Sequence, residues 1–340
     1  MSMAAHSTHE IFMQLTGAFT RGLALFIAAS FVVACSNVES DAPLDQSGEP
    51  VAEISVTVLG TGTPIPTADQ YGAAILVQAG SKDLLFDCGR GCTSRLAQVN
   101  PKLVSGITDL FLTHLHSDHI VGVDDLWLNG WTQGRDDALR VHGPPGTTEL
   151  FVNLRQAFAE DIRIRIEKGI PADTGGIAMA MTNIAEDTVV MDEDGVKVTA
   201  FLVDHGPVKP AFGYRIDYAE RSVVISGDTK PSENLAMYAE GADVILHEVL
   251  SPKQVEYVEQ KFTAEQAATI IDIHTTAEQA GEIFADASPR LAVYYHTRNT
   301  AEDVVALKDA TASKYDGQLE VAQDLMRISI GEKIDVQQPG

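Results

Sequence analysis

Leu112-Thr113-His114-Leu115-His116-Ser117-Asp118-His119 sets three imidazoles and a carboxylate within six positions, directly behind the apolar run Leu110-Phe111-Leu112. The run reads as a buried strand and the polar cluster as the loop at its end. Side chains alternate along a strand, so His114 and His116 project to one side, and the turn that follows can bring Asp118 and His119 round to the same point. Two cation sites can therefore share one short loop. Neutral imidazoles with one hard oxygen suit Zn2+ best, and Mn2+ or Fe2+ accept the same ligand types. The bland account, four unrelated polar residues on a surface turn, fits a lone histidine far better than this density of them.

The string resembles the His-x-His-x-Asp-His signature of the metallo-β-lactamase superfamily. That resemblance implies a four-layer αβ/βα sandwich, and the order of elements agrees, with strands followed by helices twice over. It also implies three further ligands at strand ends. His205 follows Phe201-Leu202-Val203, Asp228 lies in Ile225-Ser226-Gly227-Asp228-Thr229, and His296 closes Val293-Tyr294-Tyr295. In the superfamily scheme His114, His116 and His205 hold one Zn2+, Asp118, His119 and His296 hold the other, and Asp228 bridges them. A hydroxide shared by the two cations is then the nucleophile of an ester hydrolysis, because paired metals lower the pKa of a bound water. Asp118 would orient it as well as ligate, and no side-chain nucleophile is needed.

Bulk properties narrow the substrate. The 340-residue chain carries 48 acidic and 24 basic side chains, a net charge of -24. Affinity for nucleic acid rests largely on Lys and Arg neutralising phosphates, so a surface this acidic disfavours tRNA or DNA as the partner. Residues 1–34 read as a targeting segment. Leu23 to Ala34 is a twelve-residue apolar run behind Arg21, short for a membrane span and right for the core of a signal peptide. It ends in Val32-Val33-Ala34-Cys35, which resembles a bacterial lipobox. The expectation is an exported protein anchored through a lipidated Cys35, on the periplasmic side of the envelope, with Ser36 leaning toward the outer membrane. Residues 35–50 then form a polar tether and 51–335 one hydrolase domain. Cys88 and Cys92 read as two small buried thiols at a strand-to-helix junction.

Within the superfamily, His205-Gly206 followed by Ala211-Phe212-Gly213-Tyr214-Arg215, together with Gly143-Pro144-Pro145-Gly146 and His274-Thr275-Thr276, resembles the tRNase Z branch. His247-Glu248 stands where that branch has His-Glu-Ala-Thr, which would give His247 a role in supporting the leaving group; a structural role is weighed equally for it. The stretch Asp161 to Asn183, the least regular part, is too short and too poor in Gly and Pro to resemble the tRNA-gripping arm of that branch. Phe86-Asp87-Cys88-Gly89-Arg90-Gly91 and Asp125-Leu126-Trp127-Leu128 look more like secreted arylsulfatase-like relatives. A small anionic ester, either a phosphodiester or an aryl sulfate, is the expected substrate, with tRNA 3′-processing as the alternative and a β-lactamase, a lactonase or a non-catalytic metal-binding lipoprotein behind it. Arg90, Lys209 and Arg298 are candidates to meet the anion. Trp127 reads either as a pocket wall or as core. A homodimer is compatible with the resemblance.

Overall fold

The computed structural model describes residues 53–339; the expected signal peptide, Cys35 and the tether lie outside them. The first half contains β1 (Ile54–Gly60), β2 (Ala74–Ala79), β3 (Lys82–Phe86), β4 (Asp109–Phe111), β5 (Leu139–Gly143) and β6 (Met179–Asn183). Between them run α1 (Cys92–Val99), α2 (Lys102–Gly106), α3 (Ser117–Ile120), α4 (Val123–Thr132), α5 (Thr147–Ala157) and α6 (Ala159–Lys168). The second half begins with β7 (Thr188–Glu193), β8 (Val196–His205), β9 (Val208–Tyr218) and β10 (Arg221–Ile225), then α7 (Glu233–Ala239) and β11 (Val244–Glu248). Helices α8 (Pro252–Lys261), α9 (Ala264–Asp272) and α10 (Ala277–Ala287) lead to β12 (Leu291–Tyr295), α11 (Ala301–Thr311) and β13 (Leu319–Val321). Two last strands, β14 (Met326–Ile330) and β15 (Ile334–Gln337), close the chain's described part.

Among the described residues these strands make two sheets, ordered β15-β14-β1-β2-β3-β4-β5-β6 and β13-β12-β11-β10-β9-β8-β7. The sheets face each other across a core that includes Val56, Phe86, Phe111, Phe212, Tyr214, Leu246 and Val293, each at most 1% exposed. Helices cover both outer faces. Leu85, Leu110, Trp127, Trp131 and Leu139 fill the layer beneath α1 to α6, and Val224, Ile245, Phe284, Tyr294 and Leu307 fill the opposite one. The result is the α/β four-layer sandwich of the metallo-β-lactamase fold. Strands β3, β4 and β5 are parallel, and β3 and β4 are buried on both sides where Leu84-Leu85-Phe86 and Leu110-Phe111-Leu112 form continuous apolar runs. Each large side chain so buried contributes about 1.5–3 kcal/mol of transfer free energy.

The stretch expected to be least regular contains α6. Ile162-Arg163-Ile164-Arg165-Ile166 alternates with period two, which hides the helix, yet of its isoleucines only Ile162 is buried. Arg163 pairs with Glu160 and Glu167, and Arg165 with Asp161, one helical turn apart. These basic residues therefore form a solvated helix face.

Candidate metal centre

The parallel register decides what surrounds the histidine-rich loop. Phe86 of β3 lies opposite Phe111 of β4, so the residue after each strand, Asp87 and Leu112, leaves the sheet side by side. Asp87 is buried, and its carboxylate accepts from the Thr113 amide and hydroxyl at 2.8 Å each and from His119 Nδ1 at 2.7 Å. Close approach is needed here: a Cβ on Gly89 would lie 2.2 Å from the Asp118 carbonyl oxygen. The loop passes His114, caps α3 with His116, and presents Asp118 and His119 from that short helix.

The other ligands arrive from the second sheet. His205 ends β8, Asp228 follows β10 through Gly227 at φ 61, and His296 follows β12. Gly227 is required, because a side chain there would be backbone-strained and its Cβ 2.6 Å from the Phe212 carbonyl oxygen. The structure brings all seven residues together in two groups. His114, His116, His205 and Asp228 form one, Asp118, His119 and His296 the other, and in each group one ligand atom per residue lies within 4.8 Å of the rest.

Hydrogen bonds fix which ring nitrogen faces inward. His119 donates Nδ1–H to Asp87, His205 donates Nδ1–H to the Ile273 carbonyl at 2.9 Å, and His114 Nδ1 meets Thr113 Oγ1 at 3.0 Å. Each ring therefore turns its Nε2 lone pair to the cluster. There His114 Nε2 lies 2.9 Å from His116 Nδ1, and His119 Nε2 lies 3.1 Å from His296 Nε2. Burial pushes the His114 imidazole well below its ordinary range, with His119 adding to the effect. Burial also raises Asp228, but His296 and His119 outweigh it and hold that carboxyl well below the usual range. Asp228 Oδ1 is buried without a hydrogen-bond donor. Ring nitrogens facing one another around an orphaned carboxylate oxygen fit two cations of the zinc type, which take nitrogen-rich ligand sets. Six of the seven residues are buried and His116 is exposed, which leaves the cluster open on the His116 side.

The remaining candidates fall in different places. His247 projects from the outer face of β11: its ring lies 5.8 Å from that of Phe284, its Nδ1 bonds the Glu248 carbonyl, and it is fully buried. A strand side chain on that face cannot reach the cluster, so the catalytic assignment to His247 is corrected. Its neighbour Glu248 points inward and accepts from the Thr229 amide at 3.1 Å and from His274 Nδ1 at 2.9 Å. His274, of the His274-Thr275-Thr276 stretch, has its ring 5.1 Å from the His205 ring. Burial lowers the His274 pKa, Glu248 outweighs that, and it stands at about 9. The signal for it lay in His274-Thr275-Thr276, and for Asp87 in its place at the end of a buried strand. Trp127 is fully buried and donates to the Ile177 carbonyl, so it is core and touches no substrate. Arg90 is half-buried beside the loop, its backbone amide close to Gly72, with Nη2 unpartnered. Lys209 is exposed on β9, and Arg298, two residues past His296, lies 3.9 Å from Asp303. Cys88 and Cys92 are both buried free thiols.

A four-layer sandwich whose strand ends converge on paired His/Asp groups defines a metal-dependent hydrolase acting on ester bonds. Residues 82–297 match the β-lactamase superfamily domain. Ribonuclease Z of Mycobacterium sp. strain KMS is 34% identical over 291 residues, covering 84% of this chain and 100% of the relative. Ribonuclease Z of Mycobacterium avium strain 104 is 36% identical over 282 residues, covering 82% and 98%. Among solved structures, human tRNase Z, short form, superposes with a TM-score of 0.60 at 20% identity over 82% of this chain and 99% of that one. The metallo-beta-lactamase fold protein YhfI from Bacillus subtilis gives 0.61 at 21% identity, over 81% and 98%. The chain belongs to the β-lactamase superfamily, with ribonuclease Z proteins as its homologues.

Proposed function

We propose that the bond cleaved is a phosphodiester and that the chain is a hydrolase of the ribonuclease Z type, with RNA as its first substrate to test. The observation that carries this reading is the His274–Glu248 pair beside the cluster, 2.9 Å apart. An alkoxide leaving a phosphodiester is a strong base and needs a proton. His274 is held protonated by Glu248 and sits next to His205, where it can donate that proton to the departing oxygen. An aryl oxide leaving a sulfate ester is a much weaker base and has less need of such an acid, which moves aryl sulfate behind phosphodiester. His114, His116, His205, Asp228, Asp118, His119 and His296 would hold two cations, which supply Lewis-acid activation of the attacking water and of the phosphoryl oxygens. The Asp118 carboxyl is pushed up by burial, but the His296 hydrogen bond outweighs that and keeps it ionised, able to orient the water. Homologues named ribonuclease Z, matched along nearly their whole length, support the same reading.

The net charge of -24 favours a second reading within the same chemistry, a small phosphodiester in place of RNA. One substrate panel separates them: bis-p-nitrophenyl phosphate, p-nitrophenyl sulfate and a tRNA precursor, at 50 and 200 mM salt, with and without chelator. Precursor cleavage that weakens steeply with salt supports RNA. Turnover of the small phosphodiester alone supports the second reading, and turnover of the sulfate alone sinks both. We also propose export and lipid anchoring at Cys35, supported by the apolar run and the lipobox-like tetrapeptide before it. Cys35→Ser should move the protein from the membrane to the soluble fraction; equal membrane association of both forms counts against it.

A further inference from the structure

The ligand His296 has a backbone that a histidine seldom adopts, φ 49, in the left-handed region. The residue after it, Thr297, is fully buried, and every polar group it has is taken by a different part of the chain. Its amide donates to the Thr61 carbonyl at 3.1 Å. Its carbonyl accepts from Gln70 Nε2 at 2.9 Å. Its hydroxyl donates to Gln254 Oε1 at 2.7 Å. The orientation of both amides follows from their neighbours. Gln254 Oε1 also receives the Ser251 and Arg298 amides, at 3.0 and 3.3 Å, so it must be the oxygen. Gln70 faces a carbonyl and must present its NH2.

We infer that Thr297, gripped by Gln254 and Gln70, is the positioning device for His296, and that these residues outside the cluster set the affinity of one of the two cation sites. Left free, the chain after β12 would relax toward extended backbone, and the His296 ring would swing away from Asp118 and His119, with whose ligand atoms its Nε2 now lies at 3.1 Å. The grip reaches the second group only. His114, His116, His205 and Asp228 hang on β4, β8 and β10 and on the Ile273 carbonyl. Gln254 has two jobs: as the third residue of α8 it completes a capping box with Ser251, and with the same oxygen it holds Thr297. The hairpin of α8 and α9 is thereby tied to the metal centre at both ends, through Gln254 at its start and Ile273 at its close.

This inference rests on the cluster holding two cations. The test is equilibrium competition for Zn2+ against a chromophoric chelator, giving the number of equivalents bound and the affinity of each. Thr297→Val and Gln254→Leu should each weaken one equivalent by about 10–100-fold, the usual size of an outer hydrogen-bond effect on a metal ligand, and leave the other at its wild-type affinity. Thr297→Ser keeps the hydroxyl and should bind both as wild type does; Gln254→Glu keeps the acceptor and should restore most of the loss seen with leucine. If Thr297→Val does not fold, the leucine and glutamate variants at 254 decide by the same readout. Wild-type affinity for both equivalents in Thr297→Val and Gln254→Leu would overturn the inference, as would equal weakening of both sites or a Thr297→Ser as weak as the valine. A wild type that binds fewer than two equivalents would instead sink the two-cation reading itself.

Discussion

His247 and Glu248 are adjacent on β11, yet the alternation of a strand sends one to the helical layer and the other to the metal centre. That geometry makes a sharp prediction. His274→Ala should lower kcat on an RNA phosphodiester, whose leaving group is an alkoxide, by about 10²–10⁴-fold, the usual worth of a positioned general acid, while metal content by atomic absorption stays at wild type. His247→Gln should leave kcat unchanged; the reverse pattern would return the role to His247. His114, His116, Asp118 and His119 were legible from their density behind an apolar strand, and His205, Asp228 and His296 from strand ends that the resemblance to the superfamily singled out. Asp87 and Glu248 also stand at the ends of apolar strands, but that position alone does not say what they hold. Their importance comes from partners far along the chain: Thr113 and His119 for one, Thr229 and His274 for the other. Only the parallel pairing of β3 with β4 brings Asp87 beside the first pair.

Strand edges show a second kind of information that residue patterns lack. Glu193 at the end of β7 binds Lys82 of β3 at 2.8 Å and Arg140 of β5 at 2.7 Å, and Arg140 also holds Asp109 of β4 at 2.7 Å. One carboxylate from the second sheet thus fastens three strands of the first. The Arg140 and Lys82 hydrogen bonds depress the Glu193 pKa to about 2. A depressed carboxyl stabilises the fold above its unfolded pKa near 4.5, and that contribution is lost as pH falls through about 2. Its side chain is 41% exposed, so solvent screening limits the effect to about 1 kcal/mol or less. Glu193→Gln should therefore melt below wild type by about 2–4 °C at pH 7, with the gap closing between pH 4.5 and pH 2. A gap that persists at pH 2 would show packing and not charge at work. Most strands are legible from their apolar residues, whereas α6 hides behind its alternating isoleucines. β14 leaves no local trace either, since it pairs with β1 across nearly the whole domain, and β15 adds only a short edge strand to β14.

Across the whole molecule, the cluster is a liability that the fold accepts. Seven ligands, six of them buried, converge from both sheets with ring nitrogens 2.9 to 3.1 Å apart. His119 feels burial pushing its charge away, yet Asp228 and Asp87 outweigh it and raise its pKa. His296 adds backbone strain on the order of 1–3 kcal/mol. Cations that bind the folded chain and not the unfolded one offset these costs by mass action, about 4.1 kcal/mol for each site held at 1,000 times its Kd. For a domain of this size, 1 kcal/mol moves Tm by about 2–4 °C. Stripping the metal should therefore lower Tm by roughly 10 °C or more, measured by circular dichroism with and without chelator. Zn2+ returned in slight excess should restore it. The far-ultraviolet spectrum below the transition should be the same in both forms, because the two sheets and their three apolar layers do not depend on the cations. A chelated protein that melts where the loaded one does would mean that the seven side chains are stable without metal, and the claim that they converge in order to hold it would fail.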